Sequence, residues 1–479
     1  MSLTLLRLIV VALLGGNGVP RAFALPADTL RPGRVADTVH AASDSTQTYA
    51  LYLPSRYDRS RRWPVLFLMD PRGRALLPLE LFRSAAELYG YIVMSSYQTQ
   101  SDGPVAPNDR AVNAMLADAQ TRFSIDTLRL YFAGFSGTGR LAWYYSYEIP
   151  SNVAGLIEAG AGLPEPELLL RRTLGNKHTP FAVFLSAGST DFNYEEVVGL
   201  DSRLEGFGIR HQLETFSGGH SWPPDSVCAD ALTWMQLQAM ADGRLATDRR
   251  WIDSLFTNAL GRATRVTGTS PYAASILLKQ MESDFAGLHS TAGLEESVRR
   301  LSESESVKLV VKRIAELTAE DQAFHLREDS FFTEFAKGSE RTAVQSLRKE
   351  LGLDQLRKRA EQITDTLDAA AAIRLLSSVF VRASYYEPLG YLTVGDTLRA
   401  LRMYELAQSI HPEDAQLCAQ RDRVYRAFAT ARQVPQELAC ASAAKSGRPS
   451  GSEPLAANPV IHFHLEDVGR SIAEDRALL

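Results

Sequence analysis

The chain has 479 residues, of which 45% are hydrophobic and 22% charged, and its formal net charge at pH 7 is −5. Because this length exceeds what one compact core accommodates, we expect two or more domains. The composition is that of a globular protein. The slight negative charge does not indicate a basic surface that would attract nucleic acid, so a nucleic-acid partner is not expected.

The first 24 residues have the pattern of a secretory signal peptide. Arg7 supplies a short positive region, residues 8–15 form an apolar segment too short to span a bilayer, and residues 22–24 read Ala-Phe-Ala, an A-x-A cleavage site. We therefore predict an exported protein, periplasmic or extracellular, without a stable membrane span. An uncleaved N-terminal anchor is the alternative.

Residues 25–242 are predicted to be an α/β domain. Apolar, β-branched and aromatic runs alternate there with helical patterns, which predicts a parallel sheet with helices on both faces. Residues 25–47 are polar, and we predict that they form a leader segment before the first strand. Residues 161–178 contain two prolines and are a candidate lid, with a plain surface helix as the alternative. The predicted strands are 48–53, 63–69, 91–95, 128–133, 153–158, 181–187 and 212–216.

The loop after the strand at 63–69 is a candidate oxyanion loop. It reads Pro71-Arg72-Gly73-Arg74, and a loop just past the end of a strand can offer a backbone N–H to an oxyanion. Pro71 has no N–H, which leaves Arg72 as the predicted donor and Gly73 as the alternative. The side chains of Arg72 and Arg74 are either ligands for an acidic substrate group or solvated loop arginines.

The turn after the strand at 128–133 places a serine between small residues. It reads Gly134-Phe135-Ser136-Gly137, and a helix-forming segment follows at once. A serine at a tight strand-to-helix turn is the geometry of a nucleophile elbow, where glycines let neighbouring backbone pack closely. This pattern predicts Ser136 as the nucleophile and the Gly137 N–H as an oxyanion donor. A plain turn serine is the alternative.

Two later loops supply a base and an acid. A serine hydroxyl needs a base within hydrogen-bond reach and a carboxylate that orients this base. Asp191 follows the strand at 181–187, and His220 follows the strand at 212–216 on a Gly-Gly loop. Both lie past the carboxyl end of a strand, where open α/β sheets bind ligands. A helix N-cap is the alternative role for Asp191, and a structural loop residue is the alternative for His220.

The other histidines and acids of this region fit these roles less well. His40 precedes the predicted sheet, and His178 and His211 fall at strand starts. Glu195 and Glu196 belong to the first turn of the next helix, where the helix dipole favours acidic residues. Elimination therefore favours His220 and Asp191.

Three aromatic residues close to these positions in sequence are candidate substrate contacts: Phe135, Trp143 and Trp222. Core packing under the elbow helix is the alternative for such large side chains.

The strings FAGFSGTGR, AGSTDFNYEE and FSGGHSWPP together resemble secreted α/β-hydrolase esterases of the polyhydroxybutyrate depolymerase-like and feruloyl-esterase-like group. The resemblance covers residues 46–240. It implies that Ser136 is the nucleophile, His220 the general base and Asp191 the orienting acid. Thr138 stands where the family more often has Gly, and the loop from Asp70 lacks the His-Gly pair that many such esterases carry.

Residues 243–440 have no strand patterns and predict an all-α domain. Residues 307–317 and 361–384 are amphipathic, and residues 400–412 resemble the first helix and turn of a tetratricopeptide repeat, with residues 414–430 as the second helix. We predict a degenerate helical-repeat domain that is a candidate surface for a partner protein. A generic helical bundle is the alternative.

Residues 441–479 are predicted to be a flexible linker and tail, because residues 441–458 are rich in Ser, Gly, Pro and Ala. His462 and His464 share one side of an extended segment, but without a third ligand they predict no metal site.

The three cysteines are Cys228, Cys418 and Cys440. Export permits a disulfide between the last two, and buried free thiols are the alternative.

The sequence thus predicts an exported serine hydrolase that cleaves a small-molecule or polymeric ester through an acyl-enzyme, without a metal or organic cofactor. Two alternatives stay open. One is a serine peptidase with the same triad. The other is a scaffold whose hydrolase domain has little or no activity and whose helical half recruits a partner.

Overall fold

The structure is a computed structural model and describes residues 30–149, 153–163, 181–338, 344–362 and 366–432. The predicted signal peptide, most of the candidate lid, the C-terminal tail, His178, Cys440, His462 and His464 lie outside these residues. In the described part of the chain, no helix is both long enough and apolar enough to cross a membrane.

The described first half of the chain contains one mixed sheet. Its strands are β1 (Val35–His40), β2 (Thr48–Tyr52), β3 (Trp63–Met69), β4 (Ile92–Ser96), β5 (Ile125–Phe135), β6 (Val153–Ala159), β7 (Ala182–Gly188) and β8 (His211–Phe216). Their spatial order is β1-β2-β4-β3-β5-β6-β7-β8. Strand β2 is antiparallel to β1 and β4, and the other neighbouring strands are parallel.

Helices cover both faces of this sheet. They are α1 (Leu76–Tyr89), α2 (Val105–Arg122), α3 (Gly137–Glu148), α4 (Tyr194–Gly206) and α5 (Asp225–Ala241). Helices α2, α3 and α4 pack on the face that carries Phe67 and Phe132. Helices α1 and α5 pack on the face that carries Leu66 and Phe184. Strands β3 and β7 are buried along their whole length, because helices cover them on both sides.

The predicted α/β class and the seven predicted strands are confirmed. One prediction is wrong: part of the polar leader at 25–47 forms the edge strand β1, whose last residue is His40. Its sequence, VADTVH, lacks a continuous apolar run because this strand pairs on one side only. Five of its six side chains are exposed or half-buried. Apolar patterning therefore could not reveal it.

The described second half is helical. Its helices are α6 (Arg249–Thr267), α7 (Pro271–Asp284), α8 (Leu294–Ser302), α9 (Glu305–Lys337), α10 (Val344–Glu350), α11 (Leu353–Ala360), α12 (Thr366–Val381), α13 (Glu387–Thr393), α14 (Thr397–Ile410) and α15 (Ala415–Arg432). They range from 7 to 33 residues in length. Helices α14 and α15 lie where the sequence predicts a helical hairpin. That this hairpin is a tetratricopeptide-like repeat, and that the domain binds a partner protein, stay predictions.

The helical half packs directly against the sheet-bearing half. Leu237 on α5 shares an apolar cluster with Ile252 on α6 and Leu278 on α7. The Trp234 indole donates to Asp284 over 2.6 Å. On the sheet side of α5, Cys228 is a buried free thiol. The two halves therefore share a packed boundary.

Candidate active site

Ser136 occupies a sharp turn between β5 and α3. Its backbone has φ 54° and ψ −133°, a conformation that costs a residue with a Cβ about 1–3 kcal/mol. Backbone hydrogen bonds hold the turn: the Ser136 N–H donates to the Ala159 carbonyl, and the Gly139 N–H donates to the Ser136 carbonyl, each over 2.8 Å. The surrounding structure thus stabilises the strained serine.

Two glycines let this turn form. A Cβ on Gly134 would lie 2.2 Å from the Thr138 carbonyl oxygen, and a Cβ on Gly137 would lie 2.5 Å from the Ser101 Cβ. Neither position has room for a side chain. The small residues on either side of Ser136 are therefore a steric requirement of the elbow.

Thr138 replaces the glycine that this type of elbow more often carries. Its side chain is fully buried, and its hydroxyl lies 2.7 Å from the carbonyl oxygens of Met69 and Phe135. A hydroxyl at this position ties the elbow to the end of β3. The departure from the family pattern is thus accommodated by added hydrogen bonding.

The structure brings Ser136, His220 and Asp191 together. The Nε2 atom of His220 lies 2.9 Å from the Ser136 Oγ. The Nδ1 atom of His220 lies 2.9 Å and 3.0 Å from the two carboxylate oxygens of Asp191. Since Asp191 is an acceptor, it holds the proton on Nδ1 and leaves Nε2 free to accept from the serine. The arrangement is that of a nucleophile, a base and an orienting acid.

Neighbouring groups fix the acid and the base. Asp191 is fully buried, and the Asn193 N–H donates to it over 2.8 Å. The imidazole of His220 lies between two phenyl rings, with centroid distances of 4.6 Å to Phe135 and 4.3 Å to Phe192. These contacts restrict the imidazole to one orientation.

The rival carboxylates have other partners. Glu196 receives two hydrogen bonds of 2.8 Å from Arg140. Glu195 accepts from Arg374 over 3.0 Å and from Thr318 over 3.1 Å. Neither pairs with His220, in agreement with the sequence-based elimination.

The predicted second oxyanion donor already has an acceptor. The Arg72 N–H donates to the Asp70 carboxylate over 2.9 Å. The alternative donor, the Gly73 N–H, donates to the Asp70 carbonyl over 3.1 Å. Both candidate N–H groups are therefore engaged by Asp70, a contact that the sequence did not reveal, and the second oxyanion donor stays a prediction. Arg72 serves an oxyanion only by sharing or releasing this hydrogen bond.

The three predicted substrate contacts are buried, which favours the alternative of core packing. Trp222 is 7% exposed and packs on Phe82 and Phe135, with its indole N–H donating to Asp70 over 2.9 Å. Trp143 is 1% exposed and donates to Glu158 over 2.5 Å. Phe135 is 5% exposed. All three belong to the core that supports the site, and Phe135 also contacts His220.

Asp70 is a residue whose importance the sequence did not indicate. It is fully buried and accepts from Arg74 and Trp222, each over 2.9 Å. Burial alone would raise the pKa of Asp70, but these hydrogen bonds outweigh it, so that the pKa lies below its ordinary value. Asp70 thus holds the oxyanion loop and the histidine loop together as an ionised carboxylate, and Arg74 is not available to a substrate.

At Glu158 on β6 burial outweighs hydrogen bonding, so that its pKa shifts in the opposite direction to that of Asp70. This side chain is fully buried beside the elbow helix, and burial raises its pKa well above the ordinary value despite the hydrogen bond from Trp143. Burial therefore favours the neutral, protonated form of this carboxyl group.

A cavity of about 470 Å³ adjoins the oxyanion loop. Its lining includes Arg72, Gln98, Gln100, Ser101 and Arg110. Ser101 also lies against Gly137, since a Cβ on that glycine would come within 2.5 Å of the Ser101 Cβ. The triad residues do not line this cavity, which offers polar groups beside the oxyanion loop and reaches the elbow only through Ser101.

A buried arginine of the helical half reaches the loop that carries Asp191. Arg374 on α12 donates to the Ser189 carbonyl over 3.1 Å, and its guanidinium lies 4.4 Å above the Tyr194 ring. The sequence contained no local signal for this contact. The helical half is therefore part of the surroundings of the site.

No protein-family model matches the sequence, and no curated protein matches it in sequence. Among solved structures, the chain is similar to the fluorophosphonate-binding serine hydrolase FphF of Staphylococcus aureus, with 16% identity, a TM-score of 0.37, and coverage of 43% of this chain and 98% of that one. It is similar to S-formylglutathione hydrolase FrmB of Staphylococcus aureus, with 16% identity, a TM-score of 0.36, and coverage of 43% and 98%. It is also similar to the feruloyl esterase module of Clostridium thermocellum, with 16% identity, a TM-score of 0.33, and coverage of 45% and 94%.

The strand order and the elbow define an α/β-hydrolase fold. Strand β2 is antiparallel, the central strands are parallel, and the strained serine follows β5 directly. This chain joins that fold to a helical half that contacts the loop of Asp191.

Proposed function

We propose that this protein is a serine esterase in which Ser136 is the nucleophile, His220 the general base and Asp191 the acid that orients the base. The observation that carries the proposal is the pair of hydrogen bonds at the His220 ring, 2.9 Å from Nε2 to Ser136 and 2.9 Å from Nδ1 to Asp191. A serine is inert without such a base, and here the base is aligned before substrate binds.

The reaction proceeds in two halves. Ser136 Oγ attacks the ester carbonyl while His220 Nε2 takes its proton, and the resulting imidazolium is stabilised by Asp191. Collapse of the tetrahedral intermediate breaks the bond to the alkoxide, which takes the proton from His220 and leaves as the alcohol. Water then attacks the acyl-enzyme with the same base, which releases the acid and restores Ser136.

The Gly137 N–H is the first donor to the oxyanion, because it follows the nucleophile at the start of α3. The Arg72 N–H is the second donor once it shares its hydrogen with the oxyanion as well as with Asp70. Loss of one such donor typically lowers turnover by about 100- to 1000-fold.

The substrate class is a carboxylic ester, small or polymeric. We favour esters over amides on the resemblance of the motifs around Ser136, Asp191 and His220 to secreted esterases. The polar cavity beside Arg72 supports a site for the remainder of such a substrate.

We also propose that the protein is exported. The pattern of residues 1–24 supports this, and Cys418 is disulfide-bonded, which suits an oxidising compartment.

Hydrolysis of p-nitrophenyl acetate tests the proposed activity. We expect Ser136→Ala to abolish hydrolysis while the thermal unfolding transition is retained. Ser202→Ala, an exposed helical serine on α4, is the matched control and should hydrolyse as fast as the wild type. Full activity of the Ser136 variant would refute the mechanism.

A further inference from the structure

The helical half contacts the loop that carries Asp191 from outside the α/β-hydrolase fold. This loop connects β7 with α4, and Arg374 on α12 reaches it across 185 residues of sequence. The Arg374 side chain is only 8% exposed. Arginine is almost never buried to this extent unless its guanidinium is paired. The groups that pair with Arg374 therefore indicate its role.

Arg374 contacts the chain on both sides of Asp191. Before the acid, its Nη1 donates to the Ser189 carbonyl over 3.1 Å. After the acid, its Nη2 donates to the Glu195 carboxylate over 3.0 Å, and its guanidinium lies 4.4 Å from the centroid of the Tyr194 ring. One planar group therefore spans the loop, from the end of β7 to the first turn of α4.

The guanidinium suits this task because its donors have a fixed geometry. Its N–H groups lie in one plane, and the face of that plane stacks on aromatic rings. Arg374 uses the edge of the plane for Ser189 and Glu195 and the face for Tyr194. A lysine ammonium has neither the planar fork nor the stacking face. The full set of contacts at the loop therefore requires arginine.

The helix that carries Arg374 is packed into the core of the helical half. Leu376 on α12 shares an apolar cluster with Phe324 on α9. Four residues after Arg374, the Ser378 hydroxyl donates to the buried Glu328 carboxylate of α9 over 2.9 Å. Arg374 thus extends toward the Asp191 loop from a helix that is held on its other side.

Helix α9 supports the same carboxylate that Arg374 binds. The Thr318 hydroxyl donates to the second oxygen of Glu195 over 3.1 Å. Both oxygens of Glu195 are therefore bound by the helical half, one from α9 and one from α12. The start of α4, directly after the Asp191 loop, is fixed by two helices.

The loop transmits this support to the acid and the base. The Tyr194 N–H donates to the Asp191 carbonyl over 2.9 Å. The Thr190 N–H donates to the carbonyl of Gly218, two residues before His220, also over 2.9 Å. A shift of this loop therefore moves the carboxylate of Asp191 relative to the imidazole that it orients.

We propose that Arg374 is a positioning residue for ester hydrolysis, which holds the Asp191 loop so that the carboxylate stays aligned with His220. The inference rests on the proposed esterase function, and it makes the helical half necessary for full turnover. Arg374 acts through the loop, since it binds Ser189, Tyr194 and Glu195 rather than the triad. A misplacement of about 1 Å at a distance from the chemistry can lower the rate by about 100-fold.

Two variants separate positioning from stability. Arg374→Met removes every contact of the guanidinium, and the double variant with Glu195→Gln also removes the charge that is otherwise left buried. We measure kcat and KM for p-nitrophenyl acetate under conditions in which circular dichroism shows each variant to be folded. We expect kcat to fall by about 10- to 100-fold in both variants, with KM changed less than about twofold. The double variant should regain stability without regaining kcat, because Ser189 and Tyr194 still lack the guanidinium.

A conservative variant and a matched control complete the test. Arg374→Lys keeps the charge and can keep one of the hydrogen bonds, so its kcat should lie between those of the wild type and the Met variant. The control is Arg313→Met, which removes a 2.8 Å ion pair between α9 and Asp368 on α12 that includes no residue of the Asp191 loop. This control should lower stability while kcat stays within about twofold of the wild type.

The possible outcomes separate this inference from the esterase proposal. Wild-type kcat in the double variant, or kcat values that follow stability across the whole set, would overturn the positioning role and leave the esterase proposal intact. A loss that appears only in KM would do the same. A wild type that does not hydrolyse p-nitrophenyl acetate would overturn the proposed function, and the positioning role with it.

Discussion

Arg374 and Glu195 form an ion pair of 3.0 Å between the helical half and the helix that follows the Asp191 loop. Both side chains are largely buried, at 8% and 17% exposure. Burial raises the pKa of Glu195, and the positive charge of Arg374 opposes that rise. The pair therefore couples the stability of the helical half to the loop that carries the proposed acid.

We predict that Arg374→Met destabilises the protein by roughly 3 kcal/mol, because the change leaves a buried carboxylate without its partner. Urea unfolding of the full chain measures the loss. The double variant with Glu195→Gln should recover part of it, since no buried charge then remains. Arg299→Met, which removes two exposed ion pairs, with Glu296 and Glu303, is the control and should have little effect. A single Arg374 variant as stable as the wild type would contradict this role.

We predict that Asp191→Asn lowers kcat by roughly 1000- to 10,000-fold, because an amide no longer holds the His220 proton on Nδ1. Steady-state hydrolysis of p-nitrophenyl acetate measures the effect. The same change at the rival acid, Glu196→Gln, should cost far less, since Glu196 pairs with Arg140 and not with His220. Comparable losses for the two variants would argue against Asp191 as the orienting acid.

Trp222→Phe should reduce stability and leave KM unchanged. The indole N–H is buried against Asp70, and loss of a hydrogen bond to a charged acceptor costs about 1.5–3 kcal/mol. The ring is almost fully buried and is therefore not expected to touch substrate. Thermal unfolding and KM for p-nitrophenyl acetate separate the two effects. A large rise in KM at unchanged stability would restore Trp222 as a substrate contact.

Asp284 makes the stability depend on pH. Burial raises its pKa from 3.8 to about 7, although the Trp234 indole donates to it. The folded protein therefore binds this proton more tightly than the unfolded chain does. The free energy of unfolding that the bound proton contributes is fully present below pH 3.8 and is lost as the pH rises toward 7. The loss is at most about 1.4 kcal/mol per pH unit in that window.

Asp284→Asn keeps an acceptor for Trp234 without a charge. We predict that this variant raises Tm, and that the rise is larger at pH 8 than at pH 5. The control is Asp37→Asn on the exposed side of β1, whose effect should be the same at both pH values. A fall in Tm at pH 8 would contradict the prediction.

The positions of Ser136, Asp191 and His220 were predictable because strand direction determines them. Each residue follows a strand of the parallel part of the sheet, and the carboxyl ends of parallel strands meet at one edge. Local sequence was sufficient here, since apolar runs and glycine turns mark where each strand ends.

The partners of long side chains were not predictable in the same way. Trp222 and Asp70 are 152 residues apart in sequence and Arg374 and Ser189 are 185 residues apart, so no local pattern links them. Proximity in sequence suggested Trp143 and Trp222 as substrate contacts, whereas packing buries both.

Fluorophosphonate labelling followed by peptide mapping tests the central claim most directly, because this reagent modifies only a serine that an aligned base activates. The account predicts that the wild type is labelled at Ser136 alone and that His220→Ala is not labelled. Labelling at another serine, or undiminished labelling of the His220 variant, would contradict it.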